Sequence, residues 1–364
     1  MFNFNVPRYE KVVTDAINLR PQIEAAVDKI CKEGYSNIFF IGCGGTYAHS
    51  LPMKYWMDGS SSIDTVSVIA AEFMAAPPKK FTKDSVCVFS TRSGNTKEIV
   101  AAAKFCKEAG ARTIVYVSND NTPVCEYADY KLFSFAEDDC LCEAIYTYMI
   151  TMIARFMKNA GEFPKYDQFM DEYAKIVPYL LKAKEQYEDR CAKMAAEHKD
   201  TDYHMVIGSG MLWGEAYDYA MCILEEMQWI KTKSIHAAEF FHGTIELLEE
   251  GMSLILFYGE DETRPLMDRV DTFSEKIIKE KFGTNICVNK FDTKEVELPF
   301  TDPEFRKIVS PMVMYAITER LSCHLEKERN HPLTRWNIKL CICGCSLKGC
   351  SLFTKEEKDA GSHI

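Results

Sequence analysis

Ser90-Thr91-Arg92-Ser93-Gly94-Asn95-Thr96 stands between an apolar run, Val86-Cys87-Val88-Phe89, and a stretch with helical spacing that begins at Thr96. A helix N-terminus carries unpaired N–H groups and a partial positive charge. Gly94 lets the backbone curl close to a ligand, and the hydroxyls of Thr91, Ser93 and Thr96 can donate to the oxygens of a phosphate monoester. A second glycine turn, Gly44-Gly45-Thr46, follows the earlier run Asn37-Ile38-Phe39-Phe40-Ile41 and also opens a helical pattern. Serine, threonine and glycine are ordinary caps and turn residues as well, so either loop alone is ambiguous. Two of them at neighbouring strand ends point to an anion site.

Three phosphate-loop types can be compared with these residues. No glycine-lysine-hydroxyl sequence follows either strand, which excludes a Walker loop. Gly42-Cys43-Gly44 is followed by Gly45-Thr46-Tyr47 and lacks the third glycine of the dinucleotide fingerprint. Arg92-Ser93-Gly94-Asn95-Thr96 is similar to the flavin phosphate loop of flavodoxins. That loop normally follows the first strand of its domain, however, and here it follows a later one, so flavin is the weaker reading.

The elements that must hold these loops alternate along the chain. Residues 8–33 carry Val12, Val13, Ala16, Ile17 and Leu19 at the spacing of one buried helix face. Strands are expected at 37–41, 66–69, 86–89 and 113–117, with helices between them, and this alternation predicts a parallel sheet covered on both faces. Residues 140–200 read as two or three helices. The pattern then restarts: His204-Met205-Val206-Ile207 runs into Gly208-Ser209-Gly210 and a helix to about Ile230. Strands follow at 253–258 and 286–288, with a helix from about Glu262 to Lys281 between them. Both halves open with strand, glycine turn and helix, which suggests an internal duplication. The expected organisation is an N-terminal helix (1–34), a first lobe (35–139), linker helices (140–200), a second lobe (201–334) and a cysteine-rich tail (335–364).

Composition bounds the class. The chain has 364 residues, 47% of them hydrophobic and 27% charged, enough for one or two packed domains. Lys plus Arg number 43 against 54 Asp plus Glu, a net charge of −11; this balance disfavours nucleic acid as a partner. No run of about eighteen uncharged apolar residues suggests a membrane span, and the N-terminus has no secretory pattern. The 15 cysteines are expected to be mostly free thiols in a reducing cytoplasm.

The order strand, Gly-Cys-Gly turn, hydroxyl-rich loop and second similar lobe resembles the double-domain sugar isomerase (SIS) family over residues 30–330. The resemblance implies two similar doubly wound, flavodoxin-like α/β lobes joined by helices. It assigns the phosphosugar phosphate to Gly44, Gly45, Thr46, Thr91, Arg92, Ser93 and Thr96. In the second lobe Glu225-Glu226-Met227-Gln228-Trp229 is followed, sixteen residues beyond Glu226, by His242 within Glu239-Phe240-Phe241-His242-Gly243. A glutamate and histidine at this separation are similar to those of fructosamine-6-phosphate deglycases and of the isomerase half of glucosamine-6-phosphate synthase. The resemblance makes Glu226 the acid–base residue, with Glu225 as the neighbouring alternative, and has His242 assist at the sugar, often across a subunit boundary.

Between those two chemistries, the deglycase fits better. Residue 2 is Phe where a glutaminase would place cysteine, residues 1–33 are too few for such a domain, and no C-terminal lysine motif is present. Cys140 and Glu143 are weaker matches to the deglycases. Thr244 stands where the family more often has proline, and Arg92 where the synthases have an amide. The implied reaction splits a 6-phosphorylated fructose–amine adduct into glucose 6-phosphate and an amine, with no metal or organic cofactor, in a homodimer or larger homo-oligomer. An isomerase, an aminosugar-phosphate deaminase and a non-catalytic phosphosugar sensor are the alternatives. Cys341, Cys343, Cys345 and Cys350 lack zinc-site spacing.

Overall fold

The computed structural model describes residues 1–136, 141–283 and 285–334. Cys140 and the four tail cysteines lie outside the described residues. The N-terminal segment is two helices, α1 (Val6–Ile17) and α2 (Arg20–Glu33), where the sequence pattern predicts one. The break falls at Asn18–Leu19 because Pro21 removes a backbone donor and disfavours helical geometry just before it, while fitting the first turn of a new helix.

The first lobe runs β1 (Asn37–Gly42), α3 (Gly45–Ser60), β2 (Thr65–Ile69), α4 (Ala70–Ala75), β3 (Ser85–Thr91), α5 (Lys97–Glu108), β4 (Arg112–Val117) and β5 (Tyr130–Phe133). Its five strands are all parallel, in the order β2-β1-β3-β4-β5. Helices α6 (Leu141–Asn159), α7 (Tyr166–Tyr173) and α8 (Val177–His198) follow. The second lobe holds β6 (Tyr203–Gly208), α9 (Trp213–Asp218) continued by a π-helix over Tyr219–Met227, β7 (Lys231–His236), β8 (Ser253–Tyr258), α10 (Arg264–Phe273), α11 (Lys279–Phe282) and β9 (Cys287–Asp292). Its four parallel strands are ordered β7-β6-β8-β9. A long helix, α12 (Pro303–Arg329), closes the described chain.

The expected two parallel-sheet lobes are therefore present, and β5 and β7 are additions to the predicted strands. Both are edge strands. Their sequences, Tyr-Lys-Leu-Phe and Lys-Thr-Lys-Ser-Ile-His, carry the lysines that edges use against unwanted pairing, so they show no apolar run.

The helices between the lobes are more than connectors. One continuous core takes in Val12 and Val13 of α1, Ile153 of α6, Val313 of α12, Phe40 and Val88 of the first sheet, and Ile255 and Phe257 of the second. The outer face of each sheet has a separate, smaller core. Helices α1, α2, α6, α8 and α12 thus form a layer shared by both lobes. Within it Lys184 of α8 is fully buried and stands 3.1 Å from both Glu143 of α6 and Glu319 of α12. Burial alone would discharge this ammonium, but the two carboxylates more than offset the effect and raise its proton affinity.

Candidate active site

In an open parallel sheet, ligands bind beyond the carboxyl ends of strands where the strand order reverses. In the first lobe that point lies between β1 and β3, which pair with Ile41 opposite Phe89. The turns that leave these two strands are Cys43–Thr46 and Arg92–Thr96, so the two predicted anion loops lie side by side.

The second loop is tightly built. The Gly94 N–H donates to Thr91 Oγ1 at 3.1 Å, and the Gly94 carbonyl accepts from the Val124 N–H at 3.1 Å. Asn119 Nδ2 donates to the Arg92 carbonyl at 3.3 Å. Gly94 has φ +65°, and any β-carbon there would overlap Thr122. Thr96 is the N-cap of α5 and makes no side-chain cap bond, leaving the first-turn N–H groups to a ligand. In the first loop Gly44 (φ +55°) caps α3. The Thr46 hydroxyl accepts from the Cys43 N–H at 3.2 Å and donates to the Cys43 carbonyl at 3.0 Å, which shapes the turn from within.

The equivalent switch point of the second lobe, between β6 and β8, is filled by the chain itself. Asp261, buried, accepts from the Met211 N–H at 3.0 Å and the Thr263 N–H at 2.9 Å. Gly210 (φ +53°) packs directly on that carboxylate. An aspartate of the second lobe thus takes up the N–H groups at its own glycine turn, as no described carboxylate of the first lobe does at Gly94.

The helix after β6 brings the second lobe to the first. α3 and α9 cross so closely that a β-carbon at Gly214 would overlap the Ala48 carbonyl. Beyond the crossing, Asp218, Cys222 and Glu226 recur every four residues. An α-helix, at about 3.6 residues per turn, slowly rotates such a repeat off one face. The wider π turn over Tyr219–Met227 brings it closer to register. This face meets the first glycine turn: a β-carbon at Gly45 would lie 2.8 Å from Asp218 Oδ1, and one at Gly44 would lie 3.9 Å from Cys222 Sγ. Glu226, one turn further on, is exposed to solvent. Partial burial, and then the charge of Asp218, hold its pKa above the ordinary carboxylate value.

Glu225 is directed elsewhere. Its carboxylate accepts from the Thr232 hydroxyl at 2.7 Å and ties the helix to β7. The helix ends at Met227, and Trp229, two residues on, adopts φ +56°, a left-handed conformation that is costly for a bulky side chain. The indole lies edge-on to His331, with ring centroids 4.5 Å apart.

His242 is exposed in the irregular segment after β7, where its N–H donates to the Glu239 carbonyl at 3.0 Å. Among the described residues no hydrogen bond, ion pair or ring contact joins it to Glu226. Phe240, two residues before His242, is a core residue of the second lobe. Glu143 lies in the helical layer against Lys184. Two histidines outside the sequence expectations lie nearer the lobe junction. His49 Nε2 is 3.6 Å from Asp218 Oδ2, and His236 packs edge-on against Trp213 at 5.5 Å. Neither has a spacing that marks it in the sequence; only the lobe packing brings His49 to Asp218. Among the described residues no group of three or more His, Cys, Asp or Glu is arranged to hold a metal ion. No described helix is long and apolar enough to cross a membrane.

Fold and site together define a two-lobed α/β protein in which a glycine-bearing turn of the first lobe meets a carboxylate-bearing helix of the second. The chain belongs to the sugar isomerase (SIS) family, whose domain matches residues 33–157. It is 30% identical over 324 residues to the fructosamine deglycase FrlB of Bacillus subtilis, spanning 87% of this chain and 97% of that protein. With the fructoselysine 6-phosphate deglycase of Escherichia coli it shares 22% identity, over 90% of this chain and 91% of that one. The crystal structure of a candidate phosphosugar isomerase from Bacillus subtilis superposes with a TM-score of 0.78 at 28% identity, covering 87% of this chain and 95% of that one. The chain is thus related to enzymes of the fructosamine deglycase and phosphosugar isomerase type.

Proposed function

We propose that this enzyme hydrolyses a 6-phosphorylated fructose–amine adduct to glucose 6-phosphate and a free amine or amino acid. The observation that carries the reading is the meeting of Asp218 and Cys222, on the helix that goes on to Glu226, with the Gly44–Gly45 turn, next to the hydroxyl-rich loop Thr91–Thr96. Phosphate bound by Thr91, Arg92, Ser93, Thr96 and the α5 N-terminus, with Gly44, Gly45 and Thr46 alongside, leaves the other end of the open-chain sugar to Glu226. Glu226 takes a proton from C1 to give an enaminol and returns one to C2, which leaves an imine between C1 and the amine nitrogen. Water then hydrolyses the imine. One carboxyl that both accepts and returns a proton works best with its pKa moved toward neutrality, and the raised proton affinity of Glu226 has that direction. The steps call on no metal or organic cofactor. His242, exposed on its own chain, serves the site of a second copy in a homodimer or larger assembly, where it assists ring opening and proton transfer at the sugar oxygens.

The test is release of glucose 6-phosphate from a panel of fructose-6-phosphate–amino acid adducts, with release of ammonia from glucosamine 6-phosphate as the comparison. Turnover of an adduct is expected, and Glu226→Gln should lower it by about 10²–10⁴-fold, the usual contribution of a general acid–base group, with phosphosugar binding retained. A fully active Glu226→Gln enzyme would remove that residue from the mechanism. Release of ammonia without adduct cleavage would replace the deglycase reading with the deaminase one.

A further inference from the structure

A strained residue closes the helix that carries Glu226. Helices commonly end on a left-handed residue, and glycine is the usual choice because it has no β-carbon to clash. Here that residue is Trp229, at φ +56°. Its N–H donates to the Glu225 carbonyl at 3.1 Å, and the Ile230 N–H donates to the Leu224 carbonyl at 2.9 Å, so the turn wraps directly over the helix end. The segment after α12 fixes this turn. The buried Gln228 side chain donates to the His331 carbonyl at 2.8 Å, and the His331 ring stands edge-on to the indole.

Glycine makes such a turn without strain, so the backbone does not call for tryptophan. Packing on His331 does not account for the whole ring either, since Trp229 is 41% exposed. Strained backbone tends to persist where function needs a side chain in a set place. The order along the helix shows what that place is. Asp218 and Cys222 pack at the Gly44–Gly45 turn, Glu226 is exposed one turn further on, and Trp229 comes next. A sugar whose phosphate lies at the first-lobe turns has its C1 end farthest from them, at Glu226. The amine is carried on C1 and therefore extends past Glu226, toward Trp229. Glu225 is tied to Thr232, and Gln228 and Ile230 are buried, so the indole is the large apolar surface at this helix end.

We propose that Trp229 is a specificity-determining residue whose exposed indole packs against the amine part of the adduct. This rests on Glu226 as the proton-transfer group and adds the class of amine the site prefers. An indole offers a wide, rigid apolar face, and its ring attracts cations. Amines that carry a bulky apolar or cationic side chain are therefore favoured over small ones. Acidic side chains are disfavoured, because Glu225 and Glu226 lie one turn away. The left-handed turn and the contact with His331 hold the ring in place before the substrate arrives, which limits the cost of ordering it on binding.

The experiment compares fructose-6-phosphate adducts of phenylalanine, lysine, glycine and aspartate. Trp229→Gly keeps the left-handed turn and removes the indole, while Trp229→Phe keeps an aromatic face. In Trp229→Gly the preference in kcat/KM for the phenylalanine and lysine adducts over the glycine adduct should fall roughly 3–10-fold, the size of one aromatic or cation–π contact. Trp229→Phe should retain most of it, and the Kd for glucose 6-phosphate should not move in either variant. An unchanged preference in Trp229→Gly overturns the proposal. So does an equal loss on all four adducts, which makes Trp229 a support for the helix end alone. A second readout needs no turnover: in a Glu226→Gln background the phenylalanine adduct should change the tryptophan emission, and glucose 6-phosphate should not. That change should vanish when Trp229→Phe is added. If the parent enzyme cleaves no adduct, the proposed reaction has failed, yet this titration still supports the role of Trp229 by a change or overturns it by none.

Discussion

Gly94 shows how much of the anion loop depends on one residue. It needs both the left-handed backbone and the missing side chain, because φ is +65° and Thr122 fills the space a β-carbon would take. Gly94→Ala must strain the backbone or push Thr122 away, at a cost on the order of 1–3 kcal/mol. If that cost falls on the bound loop, affinity for glucose 6-phosphate should drop roughly tenfold or more. Isothermal titration of the parent and variant checks this, and an unchanged Kd would show that the loop does not grip the phosphate. The Glu225–Glu226 choice belongs to this scale too. Adjacent residues on a helix point about 100° apart, so the hydrogen bond from Thr232 that anchors Glu225 also commits Glu226 to the other direction, along the Asp218 face.

Among the elements, the shared helical layer carries the tightest ionic constraint. Lys184 is surrounded by Glu143, Glu319 and the Ala316 carbonyl, which accepts from it at 3.2 Å. Lys184→Met keeps the length of the side chain but leaves the buried Glu143 without its cation, while Glu319 keeps Arg320 at 3.3 Å. Removing one partner of such a cluster typically costs about 3–5 kcal/mol, so urea unfolding should shift to a lower midpoint by that amount. A midpoint within 1 kcal/mol of the parent, on the order of a surface substitution, would mean that the cluster is not held together by Lys184. The same layer explains why α12 has no helical periodicity in the sequence. Phe305 and nearly everything from Ile308 to Leu325 is buried, Glu319 and Arg320 included, so no polar stripe alternates with an apolar one.

For the molecule as a whole, His204 sets a pH limit. It lies on β6, and burial, then the charges of His198 and Arg329, lower its pKa to about 4. The sign follows from linkage. The unfolded imidazole binds a proton below about 6.5, whereas the folded one resists until about 4. Between these values the unfolded chain holds more protons, and stability falls as the pH drops. The loss should begin near pH 6.5 and approach about 3 kcal/mol by pH 4 for this group. Urea unfolding of the parent and of His204→Gln between pH 7 and pH 4 separates this contribution; parallel pH slopes would rule it out.

How much was readable in the sequence depends on how local each signal is. Buried parallel strands such as Asn37–Gly42 and Ser253–Tyr258 are continuous apolar runs, and glycine turns at strand ends announce themselves. Two lobes, their order and the glycine turns at the ends of β1 and β3 could therefore be read from residues alone. Edge strands, the break between α1 and α2, and the all-round burial of α12 left weaker marks, because each depends on what packs alongside. Residues 90–96 and 218–226 are far apart in the chain, and only the crossing of α3 and α9 at Gly214 sets Asp218 and Cys222 against the first glycine turn. The same crossing brings His49 to within 3.6 Å of Asp218. Local chemistry is written in short stretches of sequence, but proximity between distant stretches is decided by the packing of the shared core.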